Sequence, residues 1–182
     1  SAGASVTQSG ADNVSDVNQS GAGGFGNFTS GVTASPVANV VQNGVGNESD
    51  IDQTGIGNIA FQTQTGDGND STILQDGADG ETRVAQTGNE NFVSATQTVT
   101  GPNFLSQGRI LTVQSGNENR ATVTQDGIAT DNAFDAGTPS LAVYTNQVGD
   151  ANVLTVSQSG TDDVAFIDQI GLSNATTVKQ LT

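Results

Sequence analysis

The carboxylate side chains are the groups in this sequence whose chemistry could support catalysis or metal binding. The chain has 19 acidic and four basic residues and contains no His and no Cys. The commonest general base and the thiol nucleophile are therefore both missing. Two segments, Gly66-Asp-Gly-Asn-Asp70 and Asp76-Gly-Ala-Asp-Gly80, have the composition of hard-cation loops. Neither has EF-hand spacing, and the Gly-Gly-x-Gly-x-Asp nonapeptide of calcium-binding β-rolls is absent, so we predict no catalytic residue, no metal site and no cofactor.

Side-chain amides offer a different chemistry, which is hydrogen bonding between identical groups. Fourteen glutamines follow an 11-residue register that breaks in three places, and 12 of them begin the motif Gln-x-Gly. In eight cases the motif extends to Gln-x-Gly-x-x-Asn, as in Gln53-Thr-Gly-Ile-Gly-Asn58. A fixed internal period is the signature of a repeat architecture. The glutamines of the register are Gln8, Gln19, Gln42, Gln53, Gln64, Gln75, Gln86, Gln97, Gln114, Gln125, Gln147, Gln158, Gln169 and Gln180.

Each interval between an Asn and the next Gln has the alternating pattern of a β-strand. With Asn as position zero and Gln as position six, position four is β-branched in 12 of the 14 segments. Position two is small or aliphatic in every segment, and all four basic residues occupy odd positions. Alternation with period two predicts strands whose even positions face a core and whose odd positions face solvent.

The x-Gly-x-x segments predict a turn after each strand, because glycine permits a positive φ at no steric cost. One strand and one turn make 11 residues, so two units make a 22-residue coil. We therefore predict an all-β fold in a single domain over residues 1–182: a two-sheet β-solenoid of about eight coils stacked about 4.8 Å apart. The predicted turn glycines are Gly10, Gly21, Gly44, Gly55, Gly66, Gly77, Gly88, Gly116, Gly127, Gly149, Gly160 and Gly171.

The Gln and Asn residues at the strand ends share the inward parity of the core positions. In stacked coils, identical amides can hydrogen-bond in ladders along the axis, as they do in cross-β structures. The alternative is that these residues are solvated flanks of the turns, and the fixed parity favours ladders. Besides the glutamines, the predicted ladder residues are Asn13, Asn47, Asn58, Asn69, Asn91, Asn119, Asn152 and Asn174.

Three segments, near residues 20–36, 98–108 and 128–141, break the period and predict irregular insertions. All three prolines lie there, with four of the seven phenylalanines (Phe25, Phe28, Phe104 and Phe134). Proline cannot donate to a strand ladder, which fits an excursion from the sheets. These segments could fold back over a sheet, or they could form lateral contacts between filaments.

Bulk composition limits the classes of partner. A net charge of −15 with 33% hydrophobic residues is typical of disorder, but the sustained periodicity favours an ordered assembled state. Four basic residues are too few for nucleic-acid binding, and no apolar run approaches the roughly 18 residues of a membrane span. The absence of Met favours a chain from which a targeting signal has been removed. We therefore expect no nucleic acid, no membrane insertion and a secreted location.

The first and last units predict polymerisation. Ala2–Gln8 and Asn174–Gln180 both fit the strand template, so each end would present unpaired backbone groups to another copy. Head-to-tail addition without closure gives an open filament. The prediction is a cross-β fibre, and the alternative is a monomeric extracellular β-solenoid that binds calcium, ice or a glycan.

The repeat closely resembles the curlin repeat of the bacterial curli family. Asn58-Ile-Ala-Phe-Gln-Thr-Gln64 and Asn119-Arg-Ala-Thr-Val-Thr-Gln125 match the pattern well, and the resemblance extends over essentially the whole chain. It implies the structural subunit of a secreted functional amyloid that forms surface fibres in the biofilm matrix and supports adhesion and aggregation. It also implies a minor nucleator subunit, a dedicated outer-membrane export pore and periplasmic chaperones.

Overall fold

Fourteen β-strands make up the fold in the computed structural model, which describes residues 3–20, 37–100, 108–128 and 141–181. Each strand corresponds to one glutamine of the 11-residue register. The strands are β1 (Gly3–Ala11), β2 (Val14–Ser20), β3 (Val37–Val45), β4 (Glu48–Ile56), β5 (Ile59–Thr65), β6 (Asp70–Ala78), β7 (Gly80–Thr87), β8 (Phe92–Thr100), β9 (Gly108–Ser115), β10 (Arg120–Ile128), β11 (Leu141–Val148), β12 (Val153–Thr161), β13 (Val164–Ile170) and β14 (Ala175–Leu181).

Odd- and even-numbered strands form two separate parallel sheets of seven strands each, here called the odd sheet and the even sheet. The odd sheet has the order β1-β3-β5-β7-β9-β11-β13, and the even sheet runs in the same sense from β2 to β14. Because successive strands alternate between the sheets, two strands and two turns make one coil, and the coils stack along a single axis. The prediction of an all-β, two-sheet β-solenoid is confirmed.

The described strands form seven coils, whereas the sequence suggested about eight. In the odd sheet β1 pairs directly with β3, and in the even sheet β2 pairs directly with β4, although residues 21–36 separate β2 from β3 in the chain. Residues 101–107 and 129–140 are bypassed in the same way, since β8 pairs with β10 and β9 pairs with β11. No further strand stands between neighbouring rungs of the described stack.

The predicted insertions lie mainly outside the described residues, as do Pro36, Pro102, Pro139 and the four phenylalanines of those segments. Where their predicted limits overlap described residues, as at 98–100, 108 and 128, those residues belong to strands β8, β9 and β10. The exact extent of the insertions and their role remain predictions.

The register is the same in every strand pair, and it places the core between the two sheets. All 12 pairs set Gln opposite Gln, as in Gln64 opposite Gln86. The even positions two and four face the space between the sheets, where Val40, Ile51, Ile73 and Val123 are fully buried. This apolar column is what holds the two sheets together.

Candidate functional site

Two columns of glutamine side chains run the length of the stack, one in each sheet. The Nε2 of each glutamine donates to the Oε1 of the glutamine one coil further along the chain. In the odd sheet these bonds join Gln8 to Gln42 (2.7 Å), Gln42 to Gln64 (2.8 Å), Gln64 to Gln86 (3.0 Å), Gln86 to Gln114 (3.1 Å), Gln114 to Gln147 (2.8 Å) and Gln147 to Gln169 (2.8 Å). In the even sheet they join Gln19 to Gln53 (2.7 Å), Gln53 to Gln75 (2.8 Å), Gln75 to Gln97 (2.9 Å), Gln97 to Gln125 (2.8 Å), Gln125 to Gln158 (2.9 Å) and Gln158 to Gln180 (2.9 Å).

The same amides also bind the backbone across the coil. Gln64 Nε2 donates to the carbonyl oxygens of Glu48 at 2.7 Å and Asn69 at 3.1 Å. Gln86 Nε2 donates in the same way to the carbonyl oxygen of Asp70 at 3.0 Å. These glutamines therefore join the two sheets as well as neighbouring coils of their own sheet, which satisfies polar groups that burial would otherwise leave unpaired.

A third column consists of asparagines at the turns that lead from odd to even strands. The Oδ1 of Asn47 accepts from the backbone N and the Nδ2 of Asn69, both at 3.0 Å, and the pattern repeats along the stack. We call this side of the solenoid the asparagine edge. Its column contains Asn13, Asn47, Asn69, Asn91, Asn119, Asn152 and Asn174.

The opposite side, where even strands lead into odd strands, is much less regular, and we call it the variable edge. Asn58 lies here, and its Oδ1 accepts from the backbone N of Gly80 at 3.0 Å. The segments 21–36, 101–107 and 129–140 all connect strands across this edge. At the asparagine edge, the asparagine of all seven turns follows the strand's glutamine by five residues, and none of those segments connects strands there.

The predicted turn glycines allow neighbouring coils to approach closely, although Gly10, Gly44, Gly55, Gly77 and Gly127 lie at the ends of strands rather than between them. Gly66 has φ of +113°, and a Cβ built on it would lie 2.0 Å from the carbonyl oxygen of Gly88 in the next coil. Within the described residues, the same approach to a backbone oxygen of the next coil, at 2.1 Å or less, occurs at Gly10, Gly44, Gly55, Gly66, Gly77, Gly88, Gly116, Gly127 and Gly149.

Three predicted turn glycines remain. Gly160 and Gly171 also have positive φ, and Gly21 lies outside the described residues. In β8 the glycine position is occupied by Val99, which is buried and packs against Leu141. Sequence reasoning identified this break in the Gln-x-Gly motif but not the small second core that it forms.

One acidic side chain is buried although the alternating pattern of the strands predicted that it would face solvent. Glu81 occupies an odd position, yet its side chain is only 7% exposed. Its Oε1 lies 2.5 Å from Arg83 Nε and its Oε2 lies 2.6 Å from Arg109 Nη2, so two cations compensate the buried charge. Burial alone lowers the pKa of Arg109, but hydrogen bonds to Glu81 and Tyr144 outweigh it and the net direction is upward. The signal in the sequence was the placement of Glu81 and Arg109 at the same strand position in neighbouring coils of one sheet.

Comparison with known proteins identifies the repeat. Residues 149–181, which include β12, β13 and β14, match the family model described as the curlin associated repeat. The chain therefore contains a curlin repeat. The resemblance predicted from the sequence is thereby confirmed, and curlin repeats belong to a family of structural amyloid subunits rather than of enzymes. No curated protein and no solved structure matches this curlin-repeat protein.

Acidic residues of this curlin-repeat protein cluster on the outer face of the even sheet. Burial raises the pKa of Asp50, and the neighbouring charges of Asp16, Asp52 and Glu48 raise it further. The pKa of Asp70 is raised by burial and by Glu48. Among the residues that the structure describes, no group of three or more such side chains is arranged to hold a metal ion. In the same ranges there is also no helix of the length and apolarity needed to cross a membrane.

The two end coils of the described stack leave the core open. β1 and β2 at one end, and β13 and β14 at the other, each have a single neighbour in their sheet. Val6, which occupies the core column in β1, is 46% exposed, whereas Val40 in the next coil is fully buried. The most exposed large apolar side chains all lie in the last coil and its turns, and they are Phe166, Ile170, Leu172 and Leu181.

Proposed function

We propose that this curlin-repeat protein is the structural subunit of a secreted functional-amyloid fibre, which grows by end-to-end addition of copies in the extracellular biofilm matrix and supports adhesion and aggregation of cells. The open end coils are the observation that carries the proposal. An exposed strand edge with free N–H and C=O groups is a template for another strand. Since every internal pair of rungs shares one register, an added copy would meet the same pattern that it already contains.

Extending the register by one coil beyond β13 and β14 places matching residues opposite each other. Ile167 and Gln169 of one copy would face Val6 and Gln8 of the next, and Val178 and Gln180 would face Val17 and Gln19. The core residues of one copy would contact the core residues of the next, and the glutamine amides would contact glutamine amides. Because the added contacts repeat those inside the subunit, the junction would resemble an internal rung, and the coil spacing would remain about 4.8 Å across it.

The hydrogen bonds of the glutamine columns all point the same way along the stack, so they give it a polarity. Glutamine Nε2 groups donate toward the C-terminal end of the stack, so Gln169 and Gln180 offer N–H groups there, and Gln8 and Gln19 offer Oε1 acceptors at the N-terminal end. Joining like ends would oppose donor to donor or acceptor to acceptor. Head-to-tail addition alone makes each end complementary to its neighbour.

By resemblance to the curli family, we further propose that a nucleator subunit starts the fibre, and that an outer-membrane pore and periplasmic chaperones handle the chain before assembly. The fibre itself needs only further copies of the same chain. A net charge of −15 would help the monomer to stay soluble before export.

A pair of variants in β14 tests growth from the end coil. Val178 faces the core column that the next copy would cover, and its neighbour Thr177 faces outward. Val178→Asn would place an unpaired amide in that junction, so we expect the critical concentration for assembly to rise by at least about tenfold. Thr177→Asn should assemble as the wild-type protein does. Electron microscopy, fibre diffraction and thioflavin fluorescence measure the outcome, and circular dichroism checks that both variants retain their strands.

The wild-type protein should form unbranched filaments with reflections near 4.8 and 10 Å. Wild-type protein that stays monomeric under all conditions would reject the fibre proposal and favour a monomeric binding module. Equal growth of the two β14 variants would show that this end face is not the growth surface.

A further inference from the structure

The two outer faces of the solenoid differ in charge. Outward positions one, three and five of the odd sheet contain two acidic and two basic residues, so their net charge is zero: Glu81, Arg83, Arg109 and Asp168. The same positions of the even sheet contain five acidic and two basic residues, which gives a net charge of −3: Asp16, Glu48, Asp50, Asp52, Asp70, Arg120 and Lys179. Only the odd sheet can approach a copy of itself without net repulsion.

The faces also differ in polarity along their central columns. On the odd sheet, Arg83 stacks 4.7 Å from the ring centre of Phe61, and the rings of Tyr144 and Phe166 stack at 4.7 Å with an interplanar angle of 4°. Leu111 continues the column between these pairs. The central column of the even sheet consists mainly of hydroxyl side chains, namely Thr72, Ser94, Thr122, Thr155 and Thr177.

Apolar residues flank the central column of the odd sheet on both sides. They are Val37, Val41, Ile59, Val113 and Val164. Seven rungs about 4.8 Å apart, each with about seven residues of about 3.3 Å, give a face of roughly 750 Å². Two such faces in contact would bury roughly 1,500 Å², which lies within the range of stable specific interfaces.

We propose that filaments of this protein pair laterally through the odd sheet, with the odd sheet of a second filament as the occupant. This inference rests on the proposed fibre. Contact between two even sheets would bring like charges together. Contact between an even and an odd sheet would bury hydroxyl groups against apolar side chains that cannot hydrogen-bond to them. Odd-to-odd contact avoids the repulsion and sets the aromatic and apolar residues of one filament against those of the other, and a two-fold axis parallel or perpendicular to the filaments makes it self-complementary.

Matched double variants separate this contact from axial growth. Leu111→Glu with Val113→Glu adds two charges at positions three and five of β9 in the odd sheet. Thr122→Glu with Thr124→Glu adds the same charges at the same positions of the following strand, β10, in the even sheet. We expect paired filaments from the wild type and the β10 variant, and single filaments with half the mass per unit length from the β9 variant. Seeded elongation rates should agree within about twofold between the two variants, because neither changes an end coil.

The single tyrosine of the chain provides an independent probe, because Tyr144 lies on the odd face in the interior of the stack. Iodination of Tyr144 should be at least about fivefold slower in wild-type filaments than in filaments of the β9 variant. If the β9 variant fails to fold, Tyr144 is iodinated in filaments of the β10 variant, which should be paired like those of the wild type. Rapid iodination of Tyr144 in those filaments overturns the pairing.

Single wild-type filaments, or pairs that persist in the β9 variant, also overturn the lateral contact while leaving the fibre proposal intact. Wild-type protein without filaments rejects both.

Discussion

At the scale of single residues, the turn of the asparagine edge contains two glycine positions with different requirements. In the turn Gly66-Asp-Gly-Asn69, the first glycine meets the backbone of the next coil, and Gly68 has φ of +64° with only Glu90 Cγ nearby at 3.6 Å. Glutamate occupies the Gly68 position in the next two coils, as Glu90 and Glu118, with φ of 54° and 58°. The first position therefore depends on close stacking, and the third only on a local backbone conformation.

We predict that Gly66→Ala destabilises the solenoid by about 2–4 kcal/mol, because its Cβ would collide with the carbonyl oxygen of Gly88 at an unfavourable φ. Gly68→Ala in the same turn should cost no more than about 1 kcal/mol. Guanidinium denaturation followed by circular dichroism gives both values. Similar losses for the two variants would mean that coil contact does not determine the first position.

The glutamine columns lead to a second prediction. Gln64→Ala removes a fully buried amide and leaves Gln42 Nε2 and the carbonyl oxygen of Glu48 without that partner. We expect a loss of about 3 kcal/mol in the free energy of unfolding, from the unpaired groups together with the cavity. Thr63→Ala, on the outward side of the same strand, should change it by less than about 0.5 kcal/mol. Equal effects in denaturation would contradict a stabilising role for the columns.

Some buried side chains could not be predicted from alternation alone. Gln62 replaces a β-branched residue at position four and is buried, where it accepts from Ser49 Oγ and donates to the carbonyl oxygen of Ser71 at 3.1 Å. Glu81 is buried at an outward position because two arginines reach it from its own and the neighbouring coil. Both depend on partners on other strands, Ser49 and Ser71 for Gln62 and Arg109 for Glu81, and a parity pattern does not show which strands lie side by side.

At the scale of strands, the period and parity of the sequence predicted the strands and the two-sheet solenoid. The sequence suggested about eight coils and the described residues form seven, because a count along the chain cannot show which strands pair. Those segments all follow strands of the even sheet, after Gln19, Gln97 and Gln125. Counting alternate units along the chain would therefore have placed every one of them on one edge.

The acidic strands β2, β4 and β6 predict a dependence on pH. The pKa values of Asp50 and Asp70 are raised, first by burial and then by neighbouring acids, while Arg120 opposes the shift at Asp70. Since the folded state binds these protons more tightly than the unfolded chain, the corresponding stability is present at low pH and is lost as pH rises through the raised pKa values. We expect the denaturation midpoint, and the rate of fibre growth, to increase as pH falls from 7 to about 4.5.

Replacing Asp50 by Asn should flatten this pH dependence, because one of the shifted groups is gone. Asp126→Asn changes the net charge equally in β10, away from the cluster, and serves as the control. Added salt should reduce the remaining repulsion between coils, since like charges about 4.8 Å apart cost on the order of 1 kcal/mol in water. Denaturation and thioflavin kinetics that do not respond to pH or salt would be inconsistent with this account.

At the scale of the whole molecule, the asparagine column runs opposite to the glutamine columns. Each asparagine donates toward the N-terminal end of the stack, so Asn174 offers its Oδ1 at the C-terminal end, where the glutamines offer N–H groups. Each end therefore presents a mixed set of donors and acceptors that fits only the opposite end. We expect filaments of a single polarity.

Seeds made from labelled protein and extended with unlabelled protein should test this polarity. At every junction between the labelled seed and the unlabelled extension, imaging should show strands that run in the same direction on both sides. The two ends of a filament should grow at different rates, because each end presents different hydrogen-bonding groups. Val178→Asn seeds should slow growth at one end only. Junctions of mixed direction would exclude amide polarity as the determinant of assembly.

The contrast between the two edges determines where the sequence of such a protein can gain or lose residues. Seven rungs about 4.8 Å apart give the described stack a length of about 34 Å along the axis, and neighbouring rungs pair directly on either side of the segments 21–36, 101–107 and 129–140. Residues could be gained or lost there while every rung keeps its spacing, whereas a single added residue at the asparagine edge would break its column. A fibre built from these subunits would thus be a scaffold of fixed pitch with one side open to sequence variation, and foreign peptides grafted at that side would recur at intervals set by the backbone alone.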